Sequence, residues 1–290
     1  MKLNLLDYKT LKSFPSGSGI EYYNGKIYIV GDDAKSLLIT SKRWKKKDEI
    51  NLFESDEKRI PKKIKADLEA TAILHLDKQV YLLILGSGSK ELRNKCILLD
   101  TKTGTKTEID CTVFYKRLTE NGIVDLNIEG AAQVSDYLVF CNRGNKTNPG
   151  NQLIVTTPDF FSYQKDAPVE ILNVDLSAYE GTMGLSGATY SYEHDWLIFT
   201  TSVEDTADSY HDGAIGKSYL GIIEDAYSKI TKHRIRINEL IDLSATNKKF
   251  DGFKIESVCI QSERNHSMKL HLVADNDTGE SYLFKIRLRF

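Results

Sequence analysis

The sequence predicts an all-β fold, a five-bladed β-propeller of four-stranded antiparallel blades, and three observations carry that expectation. First, one pattern recurs five times: a Ser or Glu head, a run of small and apolar residues, a short turn, a stronger apolar run and a polar cluster. Second, each copy is followed by a third alternating strand, and four of them by a fourth, with turn residues between. Third, the fifth copy ends after three strands, while an alternating segment before the first head has no blade of its own.

The five copies read SGIEYYNGKIYIVGDD (18–33), EATAILHLDKQVYLLILGSGS (69–89), EGAAQVSDYLVFCNRGN (129–145), SGATYSYEHDWLIFTTSVED (186–205) and ESVCIQSERNHSMKLHLVADND (256–277). Their heads are Ser18, Glu69, Glu129, Ser186 and Glu256, at intervals of 51, 60, 57 and 70 residues. Third strands are expected at SLLIT, KCILLD, NQLIVT, SYLGIIE and SYLFKIRL, and fourth strands at EINLFE, KTEIDCT, VEILNVDL and KHRIRINEL. The missing outer strand of the last blade is assigned to LNLLDYKTL (3–11), because that pairing removes two exposed sheet edges at once. The expected organisation is one domain over 1–290, with blades at about 13–60, 61–115, 120–176, 180–243 and 250–290 plus 3–11. Helix is scarce: IIEDAYSK (222–229) and RINELIDLSATNKKF (236–250) hold a turn or two each.

Composition narrows the function. The 39 basic and 41 acidic side chains nearly cancel, so net charge points neither to nucleic acid nor to an acidic membrane surface. The lysine-rich stretches SKRWKKKDE (41–49) and DEKRIPKKIKAD (56–67) read as solvated strand edges and blade linkers, with only Trp44 as an interleaved aromatic. The longest uninterrupted apolar run, Val80 to Leu85, is far short of the roughly 18 residues a spanning helix needs. Asp7, Lys9 and Lys12 break the N-terminal apolar pattern, so the expected location is cytoplasmic, unless a leader has been trimmed. Cys96, Cys111, Cys141 and Cys259 lack metal-ligand spacing and read as buried thiols.

In a propeller the innermost strands line the central channel, so the five heads converge on the axis at one end. The polar clusters that close the second strands ring the same mouth: Asp32 and Asp33, Ser87 to Ser89, Asn142 to Lys146, Ser202 to Asp205, and Asp275 to Asp277. Three carboxylates aimed at one axis repel unless positive charge sits between them or their pKa values rise. Calcium takes about six to eight oxygen ligands, and three Glu, two Ser and waters supply such a set; magnesium, with its tight octahedron, suits it less. The alternative is a ring of Glu and Ser satisfied by backbone N–H groups and channel water.

At these heads the sequence resembles the calcium-activated nucleotidase (apyrase) family of five-bladed propellers. The order Ser18, Glu69, Glu129, Ser186, Glu256 looks like that family's calcium ring, and SGIEYYNGKIYIVGDD is similar in its Ser head, its N-G turn and its terminal Asp pair. The phytase-like and gluconolactonase-like calcium propellers are more distantly similar. The resemblance implies a central calcium and hydrolysis of a phosphate ester or anhydride. Ala34 and Lys35 follow Asp33 where the resemblance leads one to expect an arginine, and Arg143 stands alone where a pair is expected.

For such chemistry Asp32 or Asp33 is the first general-base candidate and Glu204 or Asp205 the second. Lys35, Lys90, Arg93, Arg143 and Lys146 are placed to neutralise a small anionic substrate. SVEDTADSYHDGAIGKSY (202–219) is long enough to overhang the mouth, carrying Asp208, His211, Asp212 and Lys217, with His211 a proton carrier near neutral pH. GLSGA (184–188) and GSGSKE (86–91) lack the context of a nucleophile elbow and of a phosphate-binding loop. Two readings stay open: a metal-dependent phosphohydrolase, and a non-catalytic propeller with a structural ion that binds a ligand or protein.

Overall fold

The computed structural model describes residues 1–179, 181–204, 215–276 and 279–290. Its strands run in chain order β1 (Lys2–Leu11), β2 (Gly17–Tyr23), β3 (Lys26–Gly31), β4 (Ser36–Ser41), β5 (Lys46–Asn51), β6 (Leu68–Leu76), β7 (Gln79–Gly86), β8 (Lys95–Asp100), β9 (Lys106–Asp110) and β10 (Ile128–Val134). They continue with β11 (Tyr137–Asn142), β12 (Asn151–Thr156), β13 (Glu170–Val174), β14 (Met183–Ser191), β15 (Trp196–Glu204), β16 (Ile215–Ile223), β17 (Glu239–Asp242), β18 (Lys254–Arg264), β19 (Ser267–Asp275) and β20 (Ser281–Arg289). These form five four-stranded antiparallel sheets, β2 to β5, β6 to β9, β10 to β13, β14 to β17, and β18 to β20 completed by β1. The five-bladed propeller read from the sequence is the fold.

Local chemistry explains the hairpins. Asn24 and Gly25 both hold positive φ (47° and 76°), which matches the twist of a two-residue turn, so β2 folds straight back as β3. Along β3, β7, β11, β15 and β19 the apolar residues face neighbouring blades on both sides, and the core is a set of inter-blade layers. All four cysteines lie in these layers as free thiols. Among the described residues no helix is long and apolar enough to cross a membrane.

Closure follows the expected route. β1 pairs antiparallel with β20 from Lys2↔Arg289 to Leu11↔Ser281, so the first residues complete the last blade. The seam between blades five and one is then latched by side chains. Trp44 Nε1 donates to His271 Nδ1 at 3.0 Å, and His271 Nε2 lies 3.0 Å from Gln261 Oε1. Lys9 Nζ donates to the Trp44 carbonyl at 2.9 Å, and Lys285 Nζ stands 5.0 Å from the indole centroid. Trp44, read from the sequence as part of a solvated basic stretch, is therefore a buried closure residue.

Three elements differ from the sequence expectation. The outer strand of blade two stops at Asp110, whose Oδ1 accepts from Thr112 N at 2.8 Å, and the chain turns into α1 (Thr112–Glu120). Phe114, Tyr115 and Leu118 of α1 fill the gap between blades two and three, with Phe114 4.6 Å from Phe160 and 6.2 Å from Phe140 between ring centroids. In blade four KHRIRINEL was expected as the outer strand, but the ladder begins only at Glu239, after α2 (Ala226–Thr231). Ile235 and Ile237 pack against the cluster between blades three and four without joining a ladder, so alternation alone misread the segment. Of the second stretch expected as helical (236–250), only the later part is so, as α3 (Leu243–Thr246) and the short turn Lys248–Phe250, while Glu239–Asp242 within it is the strand β17.

The latch makes a pH prediction. Burial holds His271 at a pKa of about 3, with Lys285 adding to the effect. The unfolded histidine takes its proton near pH 6.5, so stability is fully present above that value and is lost as pH falls from there toward 3. Between pH 6.5 and 5 the parent protein should lose about 1–2 kcal/mol more than His271→Gln in urea denaturation; equal losses would show that the imidazole is not the acid-sensitive group.

Candidate functional site

Each of the five heads is a β-bulge. The pairing register skips Ser18 between Gly17 and Gly19, Glu69 between Leu68 and Ala70, and Glu129 between Ile128 and Gly130. It skips Ser186 with Gly187 between Leu185 and Ala188, and Glu256 between Ile255 and Ser257. A bulge leaves its extra residue out of the ladder and re-aims the side chain, which is how a Glu stands at the head of an apolar strand without entering the core. The small residues beside it permit the close approach of the inner strands. A Cβ on Gly130 would lie 2.2 Å from Ser186 O, and one on Gly187 2.5 Å from Ser257 Cα.

On one side of the axis the protein supplies its own cations. Arg143 follows β11 and is only 5% exposed. Its Nη1 donates to Glu129 Oε2 at 2.9 Å and to Ser186 Oγ at 3.1 Å, and its Nη2 donates to Glu204 Oε2 at 2.8 Å and to Ser202 Oγ at 3.3 Å. Lys254 Nζ sits 3.2 Å from both Glu204 Oε2 and Glu256 Oε1, and Asn127 Nδ2 donates to Glu129 Oε1 at 2.8 Å. Burial pushes the Glu256 carboxyl up to about 8, with Lys254 and Arg143 pulling it down and Glu129 and Glu204 adding to the rise. Burial works against the charge on Arg143, yet Glu129, Glu204 and Glu256 hold its pKa above the ordinary arginine value.

On the other side the site is built by the linker between blades one and two. Ala34 and Arg59 form a β-bridge and Ile60 N donates to Asp33 O at 2.8 Å, which folds residues 59–67 over the mouth. Arg59 Nε then donates to Asp33 Oδ2 at 2.6 Å. Lys65, 7% exposed, joins Asp32 Oδ2 to Asp67 Oδ1, the latter at 2.7 Å. Asp67 Oδ2 also accepts from Ser87 Oγ and pairs with Arg93 Nη1, each at 2.6 Å. Asp32, Asp67 and Glu69 each bring an oxygen within 4.8 Å of the other two. Asp32 Oδ1 and Asp33 Oδ1 are buried without a hydrogen-bond partner among the described residues. Burial raises Glu69 well above the usual carboxylate range, helped by Asp67, Asp32 and Glu129, and burial brings Asp32 to about 6 against the pull of Lys65. A cavity of about 380 Å³ opens beside this group, lined by Ser16, Asp32, Asp33, Arg59, Lys62 and Lys65 among others.

Of the expected site residues, the structure gathers Ser18, Glu69, Glu129, Ser186, Glu256, Asp32, Asp33, Glu204, Arg93 and Arg143 at this mouth. Ser18 Oγ donates to Leu68 O across the blade boundary at 2.5 Å. Lys35 instead turns outward, its Nζ donating to Ser55 O at 2.7 Å, and Lys146 is exposed on the loop after β11. Asp205 and His211, with Asp208 and Asp212, lie outside the described residues. Arg59, Lys65, Asp67 and Lys254 were not expected. The stretch 56–67, read as a solvated linker, in fact delivers three of them. Simple alternation in the sequence could not have found them, because Asp67 holds a positive φ of 54° and Glu69 and Glu256 sit on bulges, where the period of two breaks down. At the mouth the carboxyls of Asp32, Asp33, Asp67, Glu69, Glu129, Glu204, Glu256 and Asp275 stand among the cationic groups of Arg59, Lys62, Lys65, Arg93, Arg143 and Lys254.

A family model described as a family of unknown function (DUF6929) matches residues 13–288. No curated protein matches the chain. Among solved structures, the glutaminyl cyclase of Myxococcus xanthus superposes with a TM-score of 0.58 at 8% identity, over 98% of this chain and 96% of that one. A GH43 β-1,3-galactosidase solved with galactodeoxynojirimycin gives a TM-score of 0.53 at 11% identity, over 94% of this chain and 90% of that one. At such identities the likeness is one of fold, and chemistry has to be argued from the site.

Removing Arg143 leaves Glu129 and Glu204 buried without their shared guanidinium. Arg143→Met should destabilise the protein by about 3–5 kcal/mol in chemical denaturation. Adding Glu129→Gln to that variant should recover part of the loss; strict additivity of the two changes would show that the pair is not coupled.

Proposed function

The chain belongs to the family of unknown function DUF6929, and from its charged mouth we propose that it is a divalent-cation-dependent hydrolase of a small phosphate ester or anhydride. The observation that carries this reading is the group Asp32, Asp67 and Glu69 standing beside a cavity that also presents Arg59, Lys62 and Lys65. The oxygen spacing of the three carboxylates suits an ion whose ligands lie at about 2.3–2.6 Å, and calcium tolerates such an irregular set better than magnesium. Asp32 Oδ1, without a hydrogen-bond partner among the described residues, supports the same reading. We put the ion on the Glu69 side because Asp32 Oδ1 there lacks a partner among the described residues, although Lys65 and Arg93 already pair with Asp32 and Asp67.

When bound, a divalent cation there supplies polarisation of a phosphoryl oxygen. The protein's own groups do the rest. Arg59 and Lys62 face the cavity as partners for an anion, with Lys65 beside them and held by Asp32 and Asp67. Asp33 Oδ1 is the acceptor for a water proton, while Arg59 fixes the carboxylate through its other oxygen. Arg93 and Ser87 hold Asp67 in place. The chain has no arginine directly after Asp33 in sequence, and in this reading Arg59, paired with Asp33, would serve in its place. A second reading, a non-catalytic binding propeller, is favoured by one observation: half of the axis is neutralised by Arg143 and Lys254 without any ion.

Chelator-treated protein, melted with calcium or magnesium, separates the two when combined with phosphate release on a panel of nucleotides and sugar phosphates. Calcium at a hundredfold excess over its Kd should add about 2.7 kcal/mol of stability, and Glu69→Gln should abolish that gain. Asp33→Asn should keep the gain and lose turnover. Calcium stabilisation with no turnover of any substrate would favour the binding module, and no response to either ion would sink the cation site.

A further inference from the structure

The inner strands β2, β6, β10, β14 and β18 run away from the charged mouth, and their far ends enclose a second cavity of about 330 Å³. From the heads to these residues is two to seven positions along the inner strands, roughly 7–23 Å at the rise of a strand. The cavity is a separate site at the opposite end of the channel. Its volume falls in the range of small-molecule pockets.

Its chemistry is the reverse of the first site. Two carboxyls, Glu21 and Glu263, and four tyrosines, Tyr22, Tyr23, Tyr190 and Tyr192, line it, and no lysine or arginine is among its lining residues. Glu21 is only 6% exposed, and burial raises its carboxyl well above the ordinary range. Burial raises Glu263 as well, against the hydrogen bond it accepts from Ser191. The polar frame is preset. Because Trp44 donates to His271 Nδ1, the imidazole proton sits on Nε2 and donates to Gln261 Oε1, leaving the Gln261 amide N–H groups as donors. Gln133 is pinned by His75 N at 2.7 Å and Ser135 O at 3.1 Å, which ties blade two to blade three at the rim. Tyr23 stands edge-on to His75, and Tyr190 edge-on to Tyr192 with centroids 4.7 Å apart.

We propose that this mouth binds a small organic cation. An anion would meet two carboxyls and no lysine or arginine among the described lining residues, whereas a cation would favour the ionised form of carboxyls that burial otherwise pushes toward neutrality. A metal ion would want carboxylates gathered together, and the described acidic group that meets that condition lies at the other mouth. An alkylated ammonium satisfies all the walls at once, with its charge against Glu21 and Glu263 and its methyl groups against tyrosine faces, where the ring quadrupole attracts cations. The Gln261 donors suit a hydroxyl or carbonyl oxygen on the same ligand.

The test is calorimetric titration of the full chain with choline and, separately, with its uncharged isostere 3,3-dimethylbutan-1-ol and with glucose. Choline should bind saturably, with the alcohol at least about tenfold weaker. Glu21→Gln, or Glu263→Gln if the first variant fails to fold by circular dichroism, should weaken choline by about tenfold and leave the alcohol unchanged. No saturable choline binding, equal binding of choline and the alcohol, or preferential binding of glucose would each overturn the proposal. The phosphate-release assay reads the opposite mouth, so the two sites fail independently.

Discussion

The constraint on which the rest of the structure depends is the concentration of carboxyls at one end of a propeller channel. Five inner strands meet there, three of them bring a Glu on a bulge, and further carboxyls arrive from the ends of other strands and from a linker. Like charges so placed either acquire protons or acquire counter-charges. The chain answers with side chains at chosen depths: Arg143 spans Glu129 and Glu204, Lys254 spans Glu204 and Glu256, and Lys65 spans Asp32 and Asp67. Each bridge crosses from one element to another, so charge pairing and blade register reinforce each other. Buried ion pairs are weak evidence for net stability, but breaking one leaves an uncompensated charge.

The asymmetry between the two halves of the mouth is what gives the site its chemical character. Around Arg143 the donors and acceptors are matched and enclosed. Around Asp32 the matching is incomplete: two carboxylate oxygens are buried without partners among the described residues, Glu69 is pushed toward its neutral form, and a cavity bordered by Arg59 and Lys62 opens alongside. A saturated network holds a fold, whereas an unsaturated one beside a cavity is poised to take a ligand. The far mouth repeats the theme with different residues, aromatic walls and two protonation-prone carboxyls in place of a mixed charge network. One channel thus presents two ends of distinct chemistry, separated by inner strands packed at glycine-scale distances.

Much of this was legible in the sequence. Periodicity of two, recurring heads and turn residues determined the five blades, the N-terminal strand that closes the ring and the convergence of Ser18, Glu69, Glu129, Ser186 and Glu256, because each of these follows from local pattern and from the geometry of closing a repeat. Only the tertiary structure decided that Arg143 is an internal counter-ion, that Arg59, Lys65 and Asp67 of a seemingly solvated linker complete the mouth, that Trp44 latches the seam and that α1 fills the gap between two blades. The reason is physical. A strand's alternation is written in its own residues, but the partner of a buried charge is set by which segments the closed ring brings together, and those segments lie tens of residues apart.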